Sequence, residues 1–188
     1  DPDGAVTIND SGADVDFRVE GSGETHALFV DGATGNVGIG VVPENNTLGA
    51  SLQIGSGGQM IGDTGETFYL GSNFYYNSGF KRIAAKHVAM QSFTDDGKHI
   101  FYTAGTDSAD SAITTNTAMT IANTGYVGIN TSPATDAALK INGDAVAGHH
   151  ALELVNHSYY APNALKISND DSVARAGHEV TFFRDSSQ

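Results

Sequence analysis

One glycine-rich phrase occurs twice in this chain, 90 positions apart, and each time it ends in proline and leads into a short alternating apolar segment. The first copy runs Phe29-Val-Asp-Gly-Ala-Thr-Gly-Asn-Val-Gly-Ile-Gly-Val-Val-Pro43, the second Met119-Thr-Ile-Ala-Asn-Thr-Gly-Tyr-Val-Gly-Ile-Asn-Thr-Ser-Pro133. Thr34/Thr124, Gly35/Gly125, Val37/Val127, Gly38/Gly128, Ile39/Ile129 and Pro43/Pro133 coincide. Such a unit predicts a Thr-Gly turn with positive φ, a Val-Gly-Ile strand, and a proline where the ladder stops. A glycine inside a strand marks a place where another backbone passes close, a need that three copies packed round an axis would create. Two unrelated hairpins sharing a turn would explain the phrase alone. They would not explain why Leu52-Gln-Ile54 follows the first proline and Leu139-Lys-Ile141 the second. The unit is therefore structural, and a fibre is the first expectation.

The rest of the composition agrees with short strands and turns. The 188 residues are long enough to bury a core, and 23 of them are glycine. There is no cysteine, which excludes disulfide staples, thiol chemistry and cysteine-ligated zinc, so stability must come from burial, much of it between chains. The net charge of −13 argues against a phosphate-directed nucleic-acid or anionic-membrane surface. No apolar run is long enough to span a membrane, and no signal peptide is visible. Starting at Asp1, the sequence reads as a piece of something longer.

Three sections follow from composition. Residues 1–54 form an N-terminal shaft: strand candidates at Ala5–Ile8, Val15–Val19 and Ala27–Val30, with turns at Asn9–Gly12 and Gly21–Gly23. Residues 55–118 form a β-sandwich-like module that opens on a flexible Gly55–Gly58 and carries most of the aromatic residues. Its best hairpin joins Val88–Phe93 to His99–Thr103 through Thr94-Asp-Asp-Gly97. Lys81–Met90 reads as strand, and 104–118 as a surface loop. Residues 119–188 hold the second repeat and a C-terminal shaft with strands at Ala151–Val155, Ala164–Ile167 and Val180–Phe183.

The two repeat phrases resemble those of bacteriophage tail fibres and tailspikes, in particular the region upstream of an intramolecular chaperone of endosialidase type. Phe80-Lys-Arg-Ile-Ala-Ala, with His99-Ile-Phe-Tyr-Thr-Ala104 downstream, is similar to modules of marine phage fibres, and Glu179-Val-Thr-Phe-Phe-Arg-Asp185 resembles the last strand before such a chaperone. The resemblance implies an intertwined homotrimer on the virion, outside the cell, joined to other tail proteins and attaching the particle to a host receptor, an envelope glycan or protein. The expected fold is all-β, with β-prism or triple-β-helix shafts flanking the module. The expected function is structural adhesion, without catalysis and without a cofactor. A glycan-degrading tailspike fragment is the alternative, and a bacterial surface fibre shares the same physics.

Carboxylate pairs able to flank a glycosidic bond are Asp95 with Asp96, Asp63 with Glu66, and Asp170 with Asp171, all in Gly/Asn/Ser turns that favour solvated loop acids. His149-His150 points to opposite faces of a strand and makes a poor metal site. Asp1, Asp3, Asp10, Asp14 and Asp16 lack the spacing of a calcium loop, so no metal is expected. Receptor contact is expected at Tyr69, Asn73, Tyr75, Tyr76 and Asn77, because sugar rings stack on aromatic faces and amides bond sugar hydroxyls. The competing role for these aromatics is the core of the module.

Overall fold

In the computed structural model, residues 8, 9, 11–135 and 138–141 are described, all within the first of two units, Asp1–Ala151. They form an all-β structure. Eleven strands make one sheet, and two make a small second sheet. The sheet opens with β1 (Phe17–Gly21) and β2 (Glu24–Val30), joined by the Gly21–Gly23 turn, then β3 (Val37–Ile39) and β4 (Gly49–Ile54). It continues through β5 (Gly58–Asp63) and β6 (Phe68–Ser72). The chain then leaves to form the two-stranded β7 (Tyr75–Tyr76) and β8 (Phe80–Lys81), and returns beside β6 as β9 (Val88–Phe93). β10 (His99–Ala104), β11 (Asn116–Ile121), β12 (Val127–Ile129) and β13 (Leu139–Ile141) complete the order.

The repeat is a repeat of structure. Val-Gly-Ile forms β3 and β12, each antiparallel to the strand before it and parallel to the strand after it. Leu52 and Leu139 lie opposite Val37 and Val127, and Ile54 and Ile141 opposite Ile39 and Ile129. A parallel neighbour requires the chain to cross back, and the crossing explains the strand glycine. A Cβ on Gly38 would sit 2.1 Å from the Val41 carbonyl oxygen, and one on Gly128 would sit 2.3 Å from that of Thr131. The close backbone is the chain's own, so this glycine needs no second copy. The next turn position is left-handed in both repeats, as Gly40 (φ 69°) and Asn130 (φ 52°), the two residue types that tolerate it best.

The expected hairpin is present with its register Phe93↔His99, closed by a three-residue turn in which Gly97 has φ 77°. Gly55–Gly58 corrects an expectation. It forms a tight turn pairing Ile54 with Gly58, so the sheet passes without a break from the first repeat into the aromatic section. The strand expected over Lys81–Met90 is likewise interrupted: 82–87 is irregular, because Arg82 and the 84–87 backbone are held by side-chain bonds described below.

Directly opposed residues share a face, so the register sorts every side chain. One face carries Phe29, Gln53, Gln59, Ile61, Met90 and Thr120, and every buried residue of the eleven strands lies on it. Its centre is covered by the β7–β8 excursion, which closes a core of Ile61, Phe74, Val88, Met90 and Ala104. The opposite face carries Val37, Ile39, Leu52 and Ile54 in the first repeat. It continues with Met60, Phe68, Leu70, Phe93 and Phe101 in the middle, and ends with Met119, Ile121, Val127, Ile129, Leu139 and Ile141. None of these side chains is buried; Ile54 is 50% exposed and Leu139 55%. From β3 to β13 this open face holds no Asp, Glu, Lys or Arg.

Candidate functional site

The aromatic section shows how the excursion is tied down. Asn73 takes a left-handed backbone (φ 61°), and its buried amide donates to the carbonyls of Ala84, Lys86 and His87 and accepts from the Ala84 N–H. Three carbonyls gathered on one amide account for the irregular 84–87 path. Arg82, 5% exposed, donates through its guanidinium to the Gly105 and Ala112 carbonyls and the Ser111 hydroxyl, which docks the 105–112 segment. Tyr75 is buried, and its hydroxyl donates to Asp110 at 2.7 Å. Burial first, and the bond to Asp110 second, push its phenol above the usual range.

The residues expected to meet a receptor therefore divide. Asn73 and Tyr75 are committed to the fold. Tyr69 and Tyr76 are half-buried and come together on Phe80, with ring centroids 5.1 and 5.2 Å from it. Asn77 is half-buried in the turn, its N–H bonded to the Gly79 carbonyl.

The carboxylate pairs are occupied by turn chemistry. Asp63 accepts from the Gly65 and Thr67 N–H groups, and Glu66 sits at φ 64° in the same turn. Asp95 accepts from the Asp96 N–H, and Asp96 pairs with Lys98. Asp170, Asp171, His149, His150, Asp1, Asp3 and Asp10 lie outside the described residues. Among the described residues no three His, Cys, Asp or Glu side chains are placed to hold a metal ion.

Two features escape sequence reasoning. The first is a buried polar network under the crossing of the first repeat. Asn36 donates to the Asn46 carbonyl and accepts from the Ser51 hydroxyl, Gln53 accepts from the Glu44 N–H, and Asn46 accepts from the Tyr76 N–H. Desolvation, with the charge of Asp110 second, raises the half-buried Glu44 carboxyl above its ordinary value. Beside the network, the buried Gln59 amide finds no hydrogen-bond partner among the described residues.

The second is a groove of about 630 Å³ on the covered side of the second repeat, between the β10–β11 pair and the crossing segment 130–133. Ile100 and Thr120 oppose one another on its floor, and Thr131, Ser132 and Pro133 form a wall. Its lining holds no carboxylate, and Lys98 is its single cation. In the sequence the phrase sets Met119 against Phe29, so the loss of Phe29's bulk at the position Thr120 takes opposite the strand glycine shows only in the strand register.

No protein-family model matches the chain, and no curated protein matches it.

Proposed function

We infer that this chain is a structural adhesin of a phage tail fibre, working as a homotrimer whose three sheets turn their open faces toward a common axis. The observation that carries the reading is the inverted alternation of β4. Leu52 and Ile54 stay exposed or half-exposed while Gln53 between them is 1% exposed. A lone chain gains nothing from this arrangement, since each large apolar side chain left in water forgoes about 1.5–3 kcal/mol of burial. The same exposure of apolar side chains extends along the open face to β13. It is resolved if further copies cover the open face.

The occupant best supported is the same chain. In a chain of net charge −13, two copies meeting through a charged face would set like charges against each other, whereas the open face of the strands from β3 to β13 carries no Asp, Glu, Lys or Arg. Closing three such sheets gives a triangular β-prism or triple-β-helix-like shaft, with the covered faces and the aromatic module outward. Turn acids held by backbone N–H groups favour adhesion over glycan cleavage. Repetition round the axis multiplies weak receptor contacts into avidity.

The test is the solution mass by light scattering, with Leu70→Glu as the perturbation. Three times the mass of one chain, lost in the variant, is the expected result. A well-folded monomer with its open face in water would sink the reading.

A further inference from the structure

We propose that the groove of the second repeat is a binding site for an uncharged saccharide. This deepens the adhesin reading and rests on it, because a trimer closed through the open face leaves the groove outward and reachable.

The two repeats provide the argument between them. At the place opposite the strand glycine the first repeat has Phe29, 7% exposed and in edge contact with His26, with an Arg18–Glu20 ion pair of 2.6 Å on the neighbouring strand. The cleft left there is about 420 Å³ and is lined by Asp16, Arg18, Glu20 and Phe29. In the second repeat Thr120 replaces the aromatic ring and Ile100 stands where Arg18 stood, so the space enlarges as its charge disappears. A cavity of about 630 Å³ is within the range of small-ligand sites, roughly 300–1,000 Å³.

The lining chemistry selects the ligand. Thr117, Thr120, Thr131 and Ser132 present hydroxyls that both donate and accept, and Asn116 adds an amide at one end. Ile100 and Pro133 offer apolar patches for the C–H face of a sugar ring. Lys98 is already paired with Asp96 and adjoins Asp95, so little net positive charge is left for an anion. With no carboxylate in the lining, the groove holds a saccharide without the acid pair that hydrolysis requires.

The experiment applies the full chain to an array of neutral and acidic bacterial envelope oligosaccharides, beside Thr120→Phe and Thr117→Val. The first variant refills the groove as Phe29 does. The second, at an exposed residue, removes one hydroxyl and keeps the strand. Binding of a neutral oligosaccharide, lost at least tenfold in T120F of unchanged mass and weakened several-fold in T117V, is expected. If T120F fails to fold, T117V alone decides. Binding untouched by the variants, absence of any binding by a trimer, or preference for acidic glycans abolished by Lys98→Ala would each overturn the groove assignment. A monomer that still binds through the groove would overturn the fibre reading and leave the groove standing.

Discussion

The two repeats share a frame and differ in filling. Both have the Thr-Gly turn, the glycine beneath its own chain's carbonyl, the left-handed residue, the proline and the parallel strand. Ahead of the turn they part. The first closes its hairpin between the Asp31 N–H and the Asn36 carbonyl, the second between the Ala122 N–H and the Tyr126 carbonyl, one residue tighter. As a result Phe29 and Thr120, 91 positions apart, face the equivalent glycines, although the phrases themselves align at 90. Residues that agree between the copies are those the backbone path demands. Residues that differ are free to make one repeat a packed block and the other a groove.

The largest expected effect tests the frame. Gly38→Ala and Gly128→Ala drive a methyl into a backbone carbonyl that cannot swing away, and each is expected to cost about 3 kcal/mol or more in chemical denaturation. Tolerance of either would break the equivalence. Next is the filling. Asn36→Ala strips the Asn46 carbonyl and the Ser51 hydroxyl of their partner and is expected to cost about 2 kcal/mol, whereas Tyr126→Ala, at the matching half-buried place, should cost less than about 1 kcal/mol. Equal losses would mean that the second repeat hides a network of its own.

A smaller effect separates conformation from contact. In thermal unfolding Asn130→Ala should be about 1 kcal/mol less stable than Asn130→Gly, because both variants remove the same side-chain amide and only the left-handed backbone distinguishes them. An alanine as stable as the glycine would show that the position does not carry the turn.

What the sequence disclosed was local. Turn residues with one physical use, Asp96-Gly97 and the Thr-Gly pairs, located the hairpins, and the repeat identified strands of only three residues. What it concealed depended on packing. Period-two alternation says that Leu52 and Gln53 point apart, and it does not say which side is covered by the same chain. The strand glycine suggested a neighbouring copy, and the neighbour is the Val41 carbonyl three residues further along the same crossing. Asn73 looked like a receptor contact, since an amide among aromatics suits a sugar; only the folded path of 84–87 shows three carbonyls waiting for it. The polar network was illegible for the same reason: Asn36, Asn46, Ser51 and Gln53 are ordinary loop and strand residues until the crossing places them together.

The smallest effect is a pH dependence confined to the first repeat. Glu44 follows Pro43, and the second repeat has Ala134 at that place. Burial and Asp110 raise the folded-state pKa of Glu44 above its ordinary value, so between the two values the folded chain keeps a proton that the unfolded chain has released. The sign follows: the contribution of Glu44 is most favourable below the ordinary value and is lost as pH rises through the raised one. Glu44→Gln removes this titration and keeps the backbone N–H that Gln53 accepts. Because the carboxyl is only half-buried, solvent screening limits the gain to a fraction of about 1 kcal/mol, or about 1–2 °C in Tm. E44Q should therefore melt slightly above the parent at pH 7 and level with it at pH 4. A gap that widens toward acid would reverse the sign and place the strain at Glu44 elsewhere than in its charge.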